Sequence, residues 1–278
     1  MRESQRSRIG VFDSGVGGLT VLRELYRQLP KESILYFGDT ARLPYGNRTS
    51  QEIVQFVREI LTWMQEEQVK MVIMACNTSS ALALDVVRQE FDFPILGVIL
   101  PGARAAVRLG RKIGVIATPA TVASNAYRDA IHEIDSQAQV WQVACPEFVP
   151  LIEQNRIYDP YTKQIARDYL QPLLEVQIDT LVFGCTHYQH LTPILREILP
   201  ASIHLVDPAS YVVKAARKEL EVLGLSNNQM SIATHFTVSG CPHSFAELSQ
   251  QWLGFCPSVE QIHLPPVPIS PVSLEILD

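Results

Sequence analysis

Cys76 and Cys185 sit in matching phrases of a 278-residue chain, MACNTSS starting at Met74 and FGCTHYQ starting at Phe183. Each follows a short apolar run, residues 71–74 and 180–183, and each is followed at once by polar side chains. A thiol of ordinary pKa, about 8.5, is mostly neutral at pH 7, but a helix amino end or an adjacent acid–base group shifts its ionisation. Two groups of matched acidity on opposite sides of a planar carbanion can remove a proton from one face and return one to the other. That chemistry inverts a stereocentre. Two other readings compete with it. Cys185 and His187 could form a nucleophile–base pair for acyl transfer, which leaves Cys76 without a role. Both cysteines could also be small apolar core residues, although equivalent positions with polar neighbours speak against that.

The cysteines need strands and helices to hold them. The run 71–74 shows no alternation, as expected of a strand buried on both faces of a parallel sheet, and Ala81, Leu82, Leu84, Val86 and Val87 follow at helical spacing. Cys76 therefore falls where a strand's carboxyl end meets a helix amino end, the usual ligand position of an open α/β sheet. Residues 181–183 repeat the strand before Cys185, with a helical segment expected from Gln189 onward. Ile9-Gly10-Val11 ahead of Asp13-Ser14 likewise recurs as Ile113-Gly114-Val115 ahead of Thr118, so the halves read as diverged copies. The expected fold is α/β: two similar doubly wound domains with mostly parallel sheets, related by a pseudo-twofold, with the active site in the cleft between them. The crossover is placed near residues 98–102, giving a first domain of 1–98 plus 210–278 and a second of 99–209.

Further strands are expected at 9–12, 34–37, 94–100, 140–144, 203–206 and 232–238, from their short apolar runs. Asp13-Ser14-Gly15-Val16-Gly17-Gly18 breaks the first strand, and Leu19, Val21, Leu22 and Leu25 mark a helix that stops by Pro30. Glycines at such a turn let backbone approach an anion. The spacing is no dinucleotide fingerprint, and the Walker lysine is missing. Thr49 with Glu52 forms a capping box for a helix carrying Ile53, Phe56, Val57, Ile60, Leu61 and Met64. Pro101-Gly102 opens another helix, and Thr118-Pro119-Ala120-Thr121 is a good helix start, so capping alone accounts for both threonines as readily as ligand binding does. Tyr45, between Pro44 and Gly46, reads either as a surface loop aromatic or as part of a tight turn with free backbone donors. Helices over 161–174, 209–223 and 245–253 complete the pattern, and the proline-rich tail 265–271 is expected to be irregular.

Composition narrows the function classes. Hydrophobic residues are 47% and charged residues 19%, as in an ordinary globular protein. A net charge of −6 without a basic run argues against nucleic acid or anionic membrane as partner. No apolar run approaches the roughly 20 residues of a membrane span, so a cytoplasmic protein is expected. The cysteines at 76, 145, 185, 241 and 256 include no C-x-x-C pair, which suits free thiols in a reducing compartment and argues against a metal site.

At this point the phrases FDSGVGGLTVLREL, YFGDTARLPYG, ACNTSSALAL, CPEFVPLIE and GCTHYQHL, in this order, resemble the glutamate racemases, a family that makes D-glutamate for peptidoglycan without a cofactor. The resemblance runs from Ile9 to about Pro208. It implies that Cys76 is the base for D-glutamate and Cys185 the base for L-glutamate, each acting as acid in the other direction. It further implies that Asp13 assists Cys76, that His187 assists Cys185, and that Glu153 is an additional acid near the second cysteine. Substrate contacts would come from Ser14, Tyr45, Gly46, Asn77, Thr78, Thr118, Thr121 and Thr186. Glu147 stands where many members have leucine, so Glu147 and Glu153 both remain candidates. The implied partner is a small amino acid, the implied cofactor none, and the expected assembly a homodimer. A hinge-closing binding module for a small dicarboxylate is the non-catalytic alternative.

Overall fold

The computed structural model describes residues 7–229, 231–264 and 267. Among these residues, ten strands form two sheets. The first contains β1 (Ile9–Asp13), β2 (Ile34–Gly38), β3 (Met71–Met74) and β4 (Ile95–Gly97). The second contains β5 (Lys112–Ala117), β6 (Gln139–Ala144), β7 (Thr180–Gly184) and β8 (His204–Val206), after which β9 (His235–Val238) and β10 (Val259–Gln261) return to the first. The strand orders are β10-β9-β2-β1-β3-β4 and β6-β5-β7-β8. All recorded pairings are parallel. The order β2-β1-β3-β4 is thus repeated as β6-β5-β7-β8. Cys76 follows β3 and Cys185 follows β7, the equivalent strands of the two sheets.

Each sheet is covered on both faces, as parallel sheets require when helices make the crossovers. Ile9 and Val11 of β1 and Met71 and Ile73 of β3 pack in one apolar cluster, while Phe12, Val72 and Met74 pack in the cluster on the other face. In the second sheet Leu181 and Phe183 face one cluster and Val182 the other. A pleated strand sends successive side chains to opposite faces, and with both faces dry every position becomes apolar. This explains the unbroken runs in the sequence.

Several element boundaries differ from the sequence expectation. The helix after Cys76 is two short helices, Asn77–Leu82 and Leu84–Val87, broken at Ala83 with φ −120°. Ala83 is buried, so the apolar spacing passes across the break unchanged and gives no sign of it. The strand expected over 94–100 ends at Gly97, and the next helix, Ile99–Leu109, already contains Pro101. Proline is tolerated there because first-turn amides have no partner within the helix. Cys185 leads into a 3-10 helix, Thr186–Leu191, before the helix Thr192–Ile198. The strand expected from 232 is confined to His235–Val238. The capping box of the helix Ser50–Glu66 is present in full, with Thr49 accepting from the Glu52 amide and Glu52 accepting from the Thr49 amide. The tail expectation for 265–271 lies outside the described residues apart from Val267.

Candidate active site

β1 and β3 are neighbours whose following loops diverge, because the chain leaves β1 toward β2 on one side and β3 toward β4 on the other. Such a switch point opens a crevice at the strand carboxyl ends. β5 and β7 build the same arrangement in the second sheet. The two crevices meet in one cavity of about 600 Å³, part of it open solvent, lined by both Cys76 and Cys185.

Of the residues singled out from the sequence, Ser14, Tyr45, Gly46, Asn77, Thr78, Thr118, Thr186 and His187 join the cysteines in the lining. Asp13, Thr121 and Glu153 lie behind it. Asp13 is fully buried at the end of β1, where its carboxylate accepts from the Gly15 amide at 2.9 Å and from the Thr186 hydroxyl at 3.3 Å. Burial pushes its pKa up, against the lowering effect of His187 and the Gly15 and Gly18 amides. Among the described residues Cys76 has one side-chain partner, the Ser14 hydroxyl, 3.9 Å away. Burial first, and then the negative charge of Asp13, push its pKa up to about 12, so Cys76 is a thiol.

Cys185 has a different setting. Its sulfur lies 3.8 Å from His187 Nδ1, and His187 Nε2 lies 3.1 Å from Glu153 Oε1. Burial opposes a charge on His187, but the hydrogen bonds to Cys185 and Glu153 outweigh it and hold the imidazole pKa well above its usual value. Glu147, the other acidic candidate, accepts instead from Tyr161 (2.5 Å) and Tyr169 (3.2 Å) hydroxyls. The geometry thus puts Glu153, the acid the resemblance implied, beside His187, and Glu147 against two tyrosines.

Polar contacts tie the lobes together around the cavity. Thr78 bonds to Thr118 at 3.0 Å and to Thr121 at 3.2 Å, so the helix-start threonines of one lobe meet a threonine of the other. Thr118 also caps its own helix by accepting from the Thr121 amide. Tyr127 donates to the Asn77 side chain at 2.6 Å. A Cβ on Gly17 would come within 2.3 Å of the Thr186 hydroxyl and 2.5 Å of His187 Nδ1. Gly17 therefore lets the second lobe approach, whereas the sequence reading gave these glycines to an anion.

Tyr45 is buried in a one-turn 3-10 helix, Tyr45–Asn47, and is no surface aromatic. Its hydroxyl donates to Asp39, which also accepts from Arg42 Nε at 2.6 Å and the Ser239 hydroxyl at 2.7 Å. What this loop offers the cavity is its ring and its backbone. Asp39 and Tyr127 are the positioning residues that sequence reasoning missed. Asp39 lay in the GDT phrase without an evident partner, and Tyr127 lies on a helix face that only the tertiary contact distinguishes from core. Cys145 also lines the cavity, its thiol pushed up by burial and by the charge of Cys185, and donating to the Val143 carbonyl at 3.6 Å. Among the described residues no group of His, Cys, Asp and Glu could hold a metal, and no helix is long and apolar enough to cross a membrane.

Twin parallel sheets presenting a cysteine each to a shared cavity define a two-lobed α/β racemase. The family model described as Asp/Glu/Hydantoin racemase matches residues 9–216, and the chain belongs to that family. Within it, the chain is 77% identical over 277 residues to the glutamate racemase of Synechocystis sp., with 99% of both chains covered. A glutamate racemase from Bacillus anthracis superposes with a TM-score of 0.91 at 38% identity, covering 95% of this chain and 100% of that one. A second, from Francisella tularensis and in complex with D-glutamate, gives 0.88 at 34% identity over 93% of this chain and 98% of the other. The protein is accordingly an amino-acid racemase, an isomerase.

Proposed function

We propose that this racemase interconverts L- and D-glutamate by proton transfer between two cysteines and the α-carbon, without a cofactor. The observation that carries the reading is the placement of Cys76 and Cys185, from equivalent strand ends of two sheets, in the lining of one cavity. In the state described, Cys76 holds its proton and Cys185 stands beside a charged imidazole. L-glutamate would lose its α-proton to Cys185 and gain one from Cys76; D-glutamate would react in the opposite sense after the protons are reset. Asp13 sets the acidity of Cys76 through its charge, and His187, steadied by Glu153, shares the proton of Cys185.

Binding follows from the lining. Among the described residues no lysine or arginine lines the cavity. The substrate carboxylates would be held by neutral donors: the Ser14, Thr78, Thr118 and Thr186 hydroxyls, the Asn77 amide, and backbone N–H groups of the turn at Gly46 and of the helix starts. The carbanion would gain stability from those fixed donors once the substrate has displaced solvent from between the lobes. We further infer a first domain of residues 1–98 with 210–278 and a second of 99–209, a cytoplasmic homodimer, and D-glutamate supplied for peptidoglycan.

The test is incubation of the pure protein with L-glutamate in deuterated water, with no addition. Deuterium should enter the α-carbon as optical rotation decays, and Cys76→Ala and Cys185→Ala should each lower turnover by at least ~10³-fold in both directions. A Cys76→Ala protein with full activity would refute the two-base reading. Binding of glutamate with no isotope exchange would make the protein a dicarboxylate receptor instead.

A further inference from the structure

Asn77 opens the first-lobe helix that follows Cys76; it is 3% exposed and lines the substrate cavity. A primary amide has two ends of opposite character, an oxygen that accepts and an NH2 that donates, and a half-turn about its last bond exchanges them. An anionic substrate needs the NH2 end. Where the lining described holds no lysine or arginine, the wrong end would set a partial negative charge against a carboxylate with nothing to offset it. Among the described residues, the hydrogen bond that fixes this choice comes from the other lobe. Tyr127 lies in the second-lobe helix Ala126–Ile134, is fully buried and stands outside the cavity lining. Its hydroxyl donates to Asn77 Oδ1 at 2.6 Å. Burial, and after it the charge of Asp207, pushes the phenol pKa well above its usual value, so the proton stays on oxygen. A buried O–H without an acceptor is costly, and turning the amide over would take this acceptor away.

We propose that Tyr127 is a specificity-determining positioning residue: from the opposite lobe it holds the Asn77 amide with its NH2 toward the substrate, so that this end of the site takes a carboxylate and rejects a carboxamide. Tyr127 touches no substrate and acts through Asn77. The next residue, Thr78, is met in the same way by Thr118 of the second lobe, at 3.0 Å. Donors that the first lobe offers to the substrate are thus aimed by the second, and separation of the lobes would leave the Asn77 amide free to turn. Selectivity for the anion is therefore a property of the docked lobes and of neither lobe alone. The inference rests on the reading of the cavity as a glutamate site.

Tyr127→Phe tests this, because it keeps the ring and removes the proton. It should raise the KM for both glutamate isomers by at least ~5-fold, with a smaller change in kcat. A packing defect would do the same, so the deciding readout is selectivity. L-glutamine and the α-amide of L-glutamate, each with one carboxylate replaced by a carboxamide, are measured as competitive inhibitors of the wild type and the variant. Once Asn77 can turn its oxygen to a carboxamide NH2, the Ki of one of the two amides, relative to the KM for glutamate, should fall by at least ~3-fold, and the amide that gains names the carboxylate Asn77 holds. In an Asn77→Ala background, Tyr127→Phe should change KM by less than ~1.5-fold, since its partner is gone. An unchanged KM in Tyr127→Phe, unaltered selectivity toward both amides, or an equal rise in KM with and without Asn77 would overturn the positioning role. A wild-type protein that neither turns over nor binds glutamate would instead overturn the reading on which it rests.

Discussion

At the scale of single residues, thiols of one kind sit in three electrostatic settings. Cys76 is buried near a carboxylate and pushed up to about 12. Cys185 is buried beside a histidine whose pKa is raised. Cys241 is exposed, and hydrogen bonds from the Ser244 side chain and from the Ser244 and His243 amides at a helix start lower its pKa. The thiolate is the reactive form, so reactivity should follow these settings. Timed alkylation with iodoacetamide at pH 7.5, read by peptide mass, should label Cys241 well before Cys76. Labelling of Cys76 first would show that burial and the charge of Asp13 do not suppress its ionisation.

At the scale of elements, the turn Tyr45–Asn47 presents Gly46 to the cavity, and its orientation depends on a carboxylate that touches no substrate. Asp39 is fully buried and accepts from Tyr45, Arg42 and Ser239, binding the loop to the β2 end and to the segment after β9. Hydrogen bonds to a charged group contribute about 1.5–3 kcal/mol each. Asp39→Asn should therefore loosen the turn and raise the KM for glutamate by about tenfold, with a smaller effect on kcat, because the lost contact serves ground-state binding. Steady-state kinetics in both directions check this. An unchanged KM would mean that the turn is held by its apolar packing alone. Much of this element was legible beforehand, since proline and glycine around Tyr45 announce a tight turn. The buried carboxylate that anchors it was not, because burial and the Ser239 hydroxyl, 200 residues away in the chain, set its role, and neither is visible locally.

At the scale of the whole molecule, the helix Pro242–Leu253 joins the lobes through Trp252, which packs against apolar clusters of both sheets. Trp252 stacks on His190, with ring centroids 3.4 Å apart, in the 3-10 helix that also carries His187. Burial, then the positive charges of His187 and Arg23, lower the His190 pKa to about 3. An unfolded histidine protonates near 6.5, so the native state binds fewer protons between those values. The stability contributed by neutral His190 is thus complete above about 6.5 and is lost as pH falls toward 3, an effect of up to roughly 5 kcal/mol. Asp207 acts in the opposite sense. Burial raises it to about 6, so its contribution is present below the unfolded value of 3.8 and is lost as pH rises through 6. His190→Phe keeps the stack and removes the titration. Its urea midpoint should fall less than that of the wild type between pH 7 and pH 4.5, and an equal fall would place the acid sensitivity elsewhere.

The sequence by itself determined the strands and their doubling, because a strand buried on both faces must be apolar at every position and that pattern is local. It also determined that Cys76 and Cys185 occupy corresponding strand ends, because the phrase around each is copied with the strand. The helix break at Ala83 stayed hidden, since a buried alanine preserves the apolar spacing. Only the tertiary structure decided that Glu153 rather than Glu147 reaches His187, that Thr78 meets Thr118, and that Gly17 makes room for the opposite lobe. Those choices depend on how two lobes dock, and a contact between distant segments leaves no periodic trace along either one.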